Sequence, residues 1–196
     1  MSVRKRLGQA WLRANGWEPE GDKPTPLKYV LIAAPHTSNW DLVFALALAA
    51  VVGVDLQWIG KRELFRGPAG PFLRALGGIP VRRDRHTNFV TRAAKLLRDA
   101  DRLALMVPAE GTRSRAPHWK SGFLHIAREA DVPVVLGFLD FRRKRGGFGP
   151  ALDPHLPTKE FMDRARAFYA DKTGKYPDQF GPVRLSQEEE DGQARP

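Results

Sequence analysis

The segment Pro35-His36-Thr37-Ser38-Asn39-Trp40-Asp41 lies between two apolar stretches and carries a histidine and an aspartate separated by four residues. A carboxylate that holds one ring nitrogen of an imidazole leaves the other nitrogen free to take a proton from a hydroxyl. Spacing alone favours a plainer use: Asp41 as a carboxylate in the first turn of a helix and His36 as a polar loop residue. A second segment, Glu110-Gly111-Thr112-Arg113-Ser114, suits an anion. Gly111 lets backbone approach a ligand closely, and Thr112 and Arg113 can hydrogen-bond phosphate oxygens, Arg113 through two donors at once. Taken alone, it is also compatible with a polar turn bearing a surface arginine. Arg82 and Arg83 close an apolar run introduced by Gly77-Gly78. Adjacent strand residues point to opposite faces, so one of the pair would reach a given cleft, or both end a solvated strand.

Several chemistries are disfavoured. The chain has 0 cysteines, which removes thiol nucleophiles, disulfides and thiolate metal sites. No Gly-x-Ser-x-Gly nucleophile elbow is present, so Ser38, Ser114 and Ser121 are weak candidates for a serine hydrolase. No clustered set of metal ligands is visible, and neither metal nor cofactor is expected.

Positioning these groups requires a scaffold, and the hydrophobic pattern supplies one. Short apolar runs predict strands at Tyr29–Ala34, Leu56–Gly60, Ile79–Arg82, Arg102–Val107 and Pro133–Phe141. Between them, helices are expected over Trp40–Val52, Gly67–Leu76, Asn88–Asp99 and Lys120–Ala130, with another at Thr158–Tyr169 after a glycine-rich turn at Gly146–Gly149. Alternating strands and helices predict an α/β fold, with a largely parallel central sheet flanked by helices. Open parallel sheets bind ligands beyond the carboxyl ends of their strands. His36 and Asp41 follow the first strand, Lys61 and Arg62 the second, Arg83 the third and Glu110–Ser114 the fourth, so all would converge on one cleft.

The remaining organisation is simpler. Residues 1–26 are expected to form a short amphipathic helix, Val3–Asn15, and a polar linker; 27–180 the main domain; 181–196 a loose acidic tail. Val3, Leu7, Ala10, Trp11 and Ala14 share one helical face, which suits either an anionic membrane interface or packing on the domain. The net charge of +10 from 196 residues favours anionic partners, among them lipid headgroups, phosphorylated substrates, acidic carriers or nucleic acid. The N-terminus lacks the apolar core of a signal peptide, and the longest apolar stretch, Leu42–Val54, is shorter than the roughly 20 residues a spanning helix needs. A peripheral protein at the cytoplasmic face of the membrane is the expectation.

Taken together, these segments resemble the glycerolipid acyltransferase family, which acylates glycerol-3-phosphate and lysophosphatidic acid. Its first motif, histidine and aspartate four residues apart, is matched by His36 and Asp41. Its second, a glycine and an apolar strand ending in arginine, is matched by Gly77–Arg83, with Arg83 best fitting the family arginine. Its third is matched by Glu110–Ser114 and its fourth, a Val-Pro apolar strand, by Val132–Val135. The resemblance covers about Lys28 to Phe141. Three departures stand out: Pro35 where asparagine often precedes the histidine, Pro108 displaced by Ala109 from its usual place beside the glutamate, and Leu136 in place of a second proline. They point to a divergent bacterial-type subfamily and leave the acceptor open.

The resemblance implies direct acyl transfer from a thioester, acyl-CoA or acyl carrier protein, to a lysophospholipid hydroxyl. His36 would be the general base, Asp41 its orienter, and backbone amides around the first motif the oxyanion donors. Arg83, Glu110, Gly111, Thr112 and Arg113 would hold the acceptor's phosphate and glycerol portion. The implied partners are the thioester donor, the lysophospholipid acceptor and an anionic membrane surface, with no nucleic acid. Two alternatives remain at this point: the same chemistry on another lipid acceptor, or a non-catalytic basic module binding anionic lipid or nucleic acid.

Overall fold

The structure is a computed structural model that describes residues 2–81 and 86–188, with backbone alone at 86–88. Its strands are β1 (Glu18–Glu20), β2 (Lys28–Ala34), β3 (Leu56–Lys61), β4 (Gly78–Val81), β5 (Leu103–Val107), β6 (Val134–Asp140) and β7 (Arg145–Leu152). They form one sheet in the order β1-β7-β6-β2-β5-β3-β4. The ladders joining β4, β3, β5, β2 and β6 are all parallel, and β7 returns antiparallel to β6. The central strands β5 and β6 are buried at every position, as a parallel sheet covered on both faces demands. The expected α/β architecture is therefore the observed one.

Two layers of helix cover the sheet. On one face, α4 (His86–Asp99), α5 (Gly122–Ala130) and α6 (Thr158–Tyr169) pack Leu97, Phe123 and Phe161 against Val30, Ile32, Leu105 and Leu136. The other face belongs to α2 (Trp40–Val52), whose Leu42, Ala45 and Leu46 meet Leu31, Trp58, Met106 and Phe148. A helix that is apolar all round must be covered on both sides, and α1 (Val3–Ala14) supplies the outer cover of α2. A Cβ added to Gly8 would lie 2.8 Å from the Ala47 carbonyl oxygen, so the two helices touch there through backbone. Leu12, Trp17, Phe44 and Leu139 fill the seam. Val3, Leu7, Ala10 and Ala14 face outward, and α1 packs through Gly8 and Leu12 instead. Among the described residues no helix is long and apolar enough to cross a membrane.

Four elements differ from the sequence expectation. The stretch read as a linker contains β1, which pairs in parallel with β7. Gly146–Gly149, expected to turn, is the middle of β7. Its glycines answer crowding rather than a bend: a Cβ on Gly147 would sit 2.0 Å from the Glu20 carbonyl oxygen, and one on Gly149 2.3 Å from the Phe168 ring. The tail from residue 181, expected to be loose, is packed as far as it is described, as is the chain leading to it from α6. The Phe141 N–H donates to Thr173, Leu185 is fully buried beside Trp119, and Glu188 pairs with Arg166 at 2.9 Å. The helix expected over Gly67–Leu76 is shorter, α3 (Gly70–Ala75), preceded by a 3-10 turn at Arg62–Phe65.

Candidate active site

Register decides what meets at the site. In β2 and β5, Ile32 is paired with Val107, so the two strands end side by side. The loops that follow them, 35–39 and 108–116, leave the sheet together. The first loop turns into α2 over very few residues, and Asp41 in the first turn reaches back to organise it. Its Oδ2 accepts the N–H of Thr37 and of Ser38, each at 2.8 Å, and lies 3.2 Å from His36 Nδ1. Asp41 is thus both the helix-start carboxylate and the partner of the histidine. It is buried, whereas His36 is partly exposed with Nε2 as its unengaged nitrogen.

The second loop supplies charge. Arg113 donates through its guanidinium to Asn39 Oδ1 at the start of α2, which brings this cation to the same mouth as His36. Gly111 turns there with φ of 68°, and an added Cβ would press on the Lys120 side chain at 3.0 Å. Thr112 Oγ accepts the Ser114 N–H at 3.2 Å.

Glu110 is arranged differently from its neighbours. It is 1% exposed and faces away from solvent, beneath the histidine loop. Its Oε1 accepts the His36 N–H at 2.6 Å, the Gly181 N–H faces the same carboxyl, and Oε2 has no hydrogen-bond partner among the described residues. Burial, with a smaller contribution from the nearby Asp41 charge, pushes its pKa up to about 7 against the pull of those two N–H groups. Glu110 therefore holds the loop rather than contributing an oxygen to the cavity. The same hydrogen bonds correct the expected oxyanion donors: the amides of His36, Thr37 and Ser38 are all engaged by carboxylates.

His36, Asp41, Gly111, Thr112 and Arg113 line one cavity of about 780 Å³ between the sheet and α2. Of its polar lining residues, His36, Asn39, Lys61 and Arg113 are at least partly exposed while Ser38 and Asp41 are buried, and the apolar Leu31, Leu48, Trp58, Met106 and Phe148 are buried as well. The cavity is consequently a charged mouth opening onto an apolar interior. Lys61, at the end of β3, joins Arg113 as a second cation there, a place its position after a strand foreshadowed. Asn39 was visible only as part of the first motif, and nothing in its type marked it as the partner of Arg113. Arg83 lies outside the described residues. Val132–Val135 leads into β6 and belongs to the core, as do Trp119 and Phe123.

The comparisons with known proteins bear on the family and the fold. The family model described as Acyltransferase matches residues 18–135. Among solved structures, the chain is similar to the crystal structure of the 1-acyl-sn-glycerophosphate (LPA) acyltransferase PlsC from Thermotoga maritima. That likeness has a TM-score of 0.60 at 19% identity, covers 88% of this chain and 80% of that one, and is a likeness of fold. No curated protein matches the chain by sequence. Because the family model spans more than half of the chain and includes both loops that meet at the cavity mouth, the chain belongs to the acyltransferase family.

Proposed function

We propose that the protein transfers a fatty acyl group from a thioester, acyl-CoA or acyl carrier protein, to a free hydroxyl of a lysophosphatidate-type lipid. The observation that carries this reading is the His36–Asp41 pair, Nδ1 to Oδ2 at 3.2 Å, at the mouth of a cavity that is apolar behind it. His36 Nε2 takes the proton of the acceptor hydroxyl as its oxygen attacks the thioester carbonyl. Asp41 keeps the proton on Nδ1 and stabilises the imidazolium that forms. Collapse of the tetrahedral intermediate breaks the carbon–sulfur bond, and the thiolate leaves with the proton that the imidazolium returns. The thioester is already activated, so this sequence calls for no metal or redox cofactor.

The cavity suits both ends of such a reaction. Its apolar interior can take the acyl chain, removing it from water. Arg113 and Lys61 at the mouth can pair with the acceptor's phosphate, with Thr112 and the Gly111 backbone beside them. Peripheral attachment to an anionic membrane would deliver the lipid acceptor. The outward stripe of α1 favours it, since Val3 is 72% and Leu7 66% exposed, with Arg6 and Arg13 also at the surface.

The test is acylated-lipid formation from lysophosphatidic acid and a thioester, with a control lacking acceptor to measure plain hydrolysis. His36→Ala should lower the acceptor-dependent rate by about 10²- to 10⁴-fold, the usual contribution of a general base. An unchanged rate would remove His36 from the chemistry. Absence of product from the native protein with either donor would redirect the search to another acceptor.

A further inference from the structure

The chain beyond the family region runs back across the rear of the two loops that form the site. Thr37, between His36 and Asp41, is the junction. Its N–H goes to Asp41, and its hydroxyl accepts the Tyr176 N–H at 3.2 Å. Behind it, a Cβ on the buried Gly174 would lie 2.9 Å from Thr37 Oγ1, so the strap presses directly on the loop. One 3-10 turn later, at Pro177–Gln179, the side-chain amide of Gln179 lies between the two loops. Oriented by its partners, its nitrogen donates to the Arg113 carbonyl at 2.6 Å and to the Thr37 carbonyl at 3.1 Å.

We infer that Gln179 is a positioning residue for the reaction, the bridge that keeps the His36–Asp41 loop and the Arg113 loop at a constant separation. The inference rests on the acyl-transfer reading of the site. Its physical basis is that a general base and a cation carried on separate loops must hold a hydroxyl and a phosphate of the same acceptor. Small errors in their separation then cost rate out of proportion to the energy of the tie. Both bonds run from one amide to one carbonyl in each loop, so the loops do not separate at this point without breaking one of them, and the His36–Glu110 and Arg113–Asn39 contacts join them elsewhere. Gln179 is itself exposed, so its substitution removes the tie without opening the core.

The experiment compares native protein, Gln179→Ala and Gln179→Glu in lysophosphatidic acid acylation, in thermal melts and in amide hydrogen exchange. Both variants should melt close to the native protein, and kcat/KM for the lipid acceptor should fall by about tenfold in each. Exchange should quicken in peptides holding Thr37 and Arg113 and stay unchanged in those from β6. Gln179→Glu tests the donor role: ionised at about pH 8 it offers the carbonyls no proton. Its activity relative to native should rise as pH falls from about 6 to about 4, where roughly two-thirds of an ordinary glutamate carboxyl is protonated and restores one donor. Native kinetics in both variants, or a relative activity of Gln179→Glu that is flat with pH, would overturn the inference. If the native protein acylates no lysolipid, it is the acyl-transfer reading that fails. Exchange at Thr37 and Arg113 still decides separately whether Gln179 ties the loops.

Discussion

Two carboxylates are buried beside the histidine loop, and the hydrogen bonds separate Asp41 from Glu110. Asp41 touches the imidazole; Glu110 is hydrogen-bonded only to backbone, the His36 N–H, with the Gly181 N–H nearby. With its pKa raised from 4.5 to about 7, Glu110 binds a proton in the folded state that the unfolded chain releases between those values. Stability should therefore fall as pH rises through that interval, by about 3 kcal/mol in all at roughly 1.4 kcal/mol per unit, and stay low above it. Glu110→Gln keeps an acceptor for the two N–H groups and does not ionise. Denaturant unfolding at about pH 5 and about pH 8 should show the native protein losing that stability and the variant retaining it. Equal losses in both would assign the pH dependence to another group.

At the scale of elements, α1 presents two different faces. The face bearing Gly8 and Leu12 seals α2, and the stripe of Val3, Leu7, Ala10 and Ala14 is left outward. Leu12→Ala should destabilise the fold by about 2–5 kcal/mol, as truncation of a fully buried leucine does, read as a lowered midpoint in denaturant. Replacing Val3 and Leu7 with glutamate should leave that midpoint within about 0.5 kcal/mol, because exposed positions carry little packing. The same double change should abolish co-sedimentation with vesicles rich in anionic lipid. Retained binding would remove the stripe from the membrane contact. The strand elements show where pattern reading works and where it does not. β2, β5 and β6 are unbroken apolar runs and were legible, whereas β7 was not, because its glycines serve close approach to Glu20 and Phe168, contacts remote in sequence.

Across the whole molecule, the positive charge is the most general property and the least specific. A net charge of +10 sets up a field that draws anionic surfaces and substrates before any contact is made. Vesicle binding should accordingly weaken as salt rises from about 0.05 M to about 0.5 M, where the screening length falls to a few ångströms. Binding that is indifferent to salt would mean that apolar insertion alone carries it. The charge also explains why composition could not choose among lipid, acidic carrier and nucleic acid. Only the meeting of cations with a histidine at the mouth of an apolar cavity narrows the choice.

The order of motifs, the alternation of apolar strands and helices, and hence the convergence of His36, Asp41 and Glu110–Arg113 at one end of a parallel sheet were all determined by the sequence alone. Those features follow from local periodicity and from the rule that parallel strands end on the same side. Tertiary structure decided the rest. It turned Glu110 inward to hold the histidine loop and directed Arg113 to Asn39. It also folded the proline- and glycine-rich stretch after α6 into a strap across Thr37. None of these has a local signature, because each depends on a partner far away in the chain that only packing brings within a hydrogen bond.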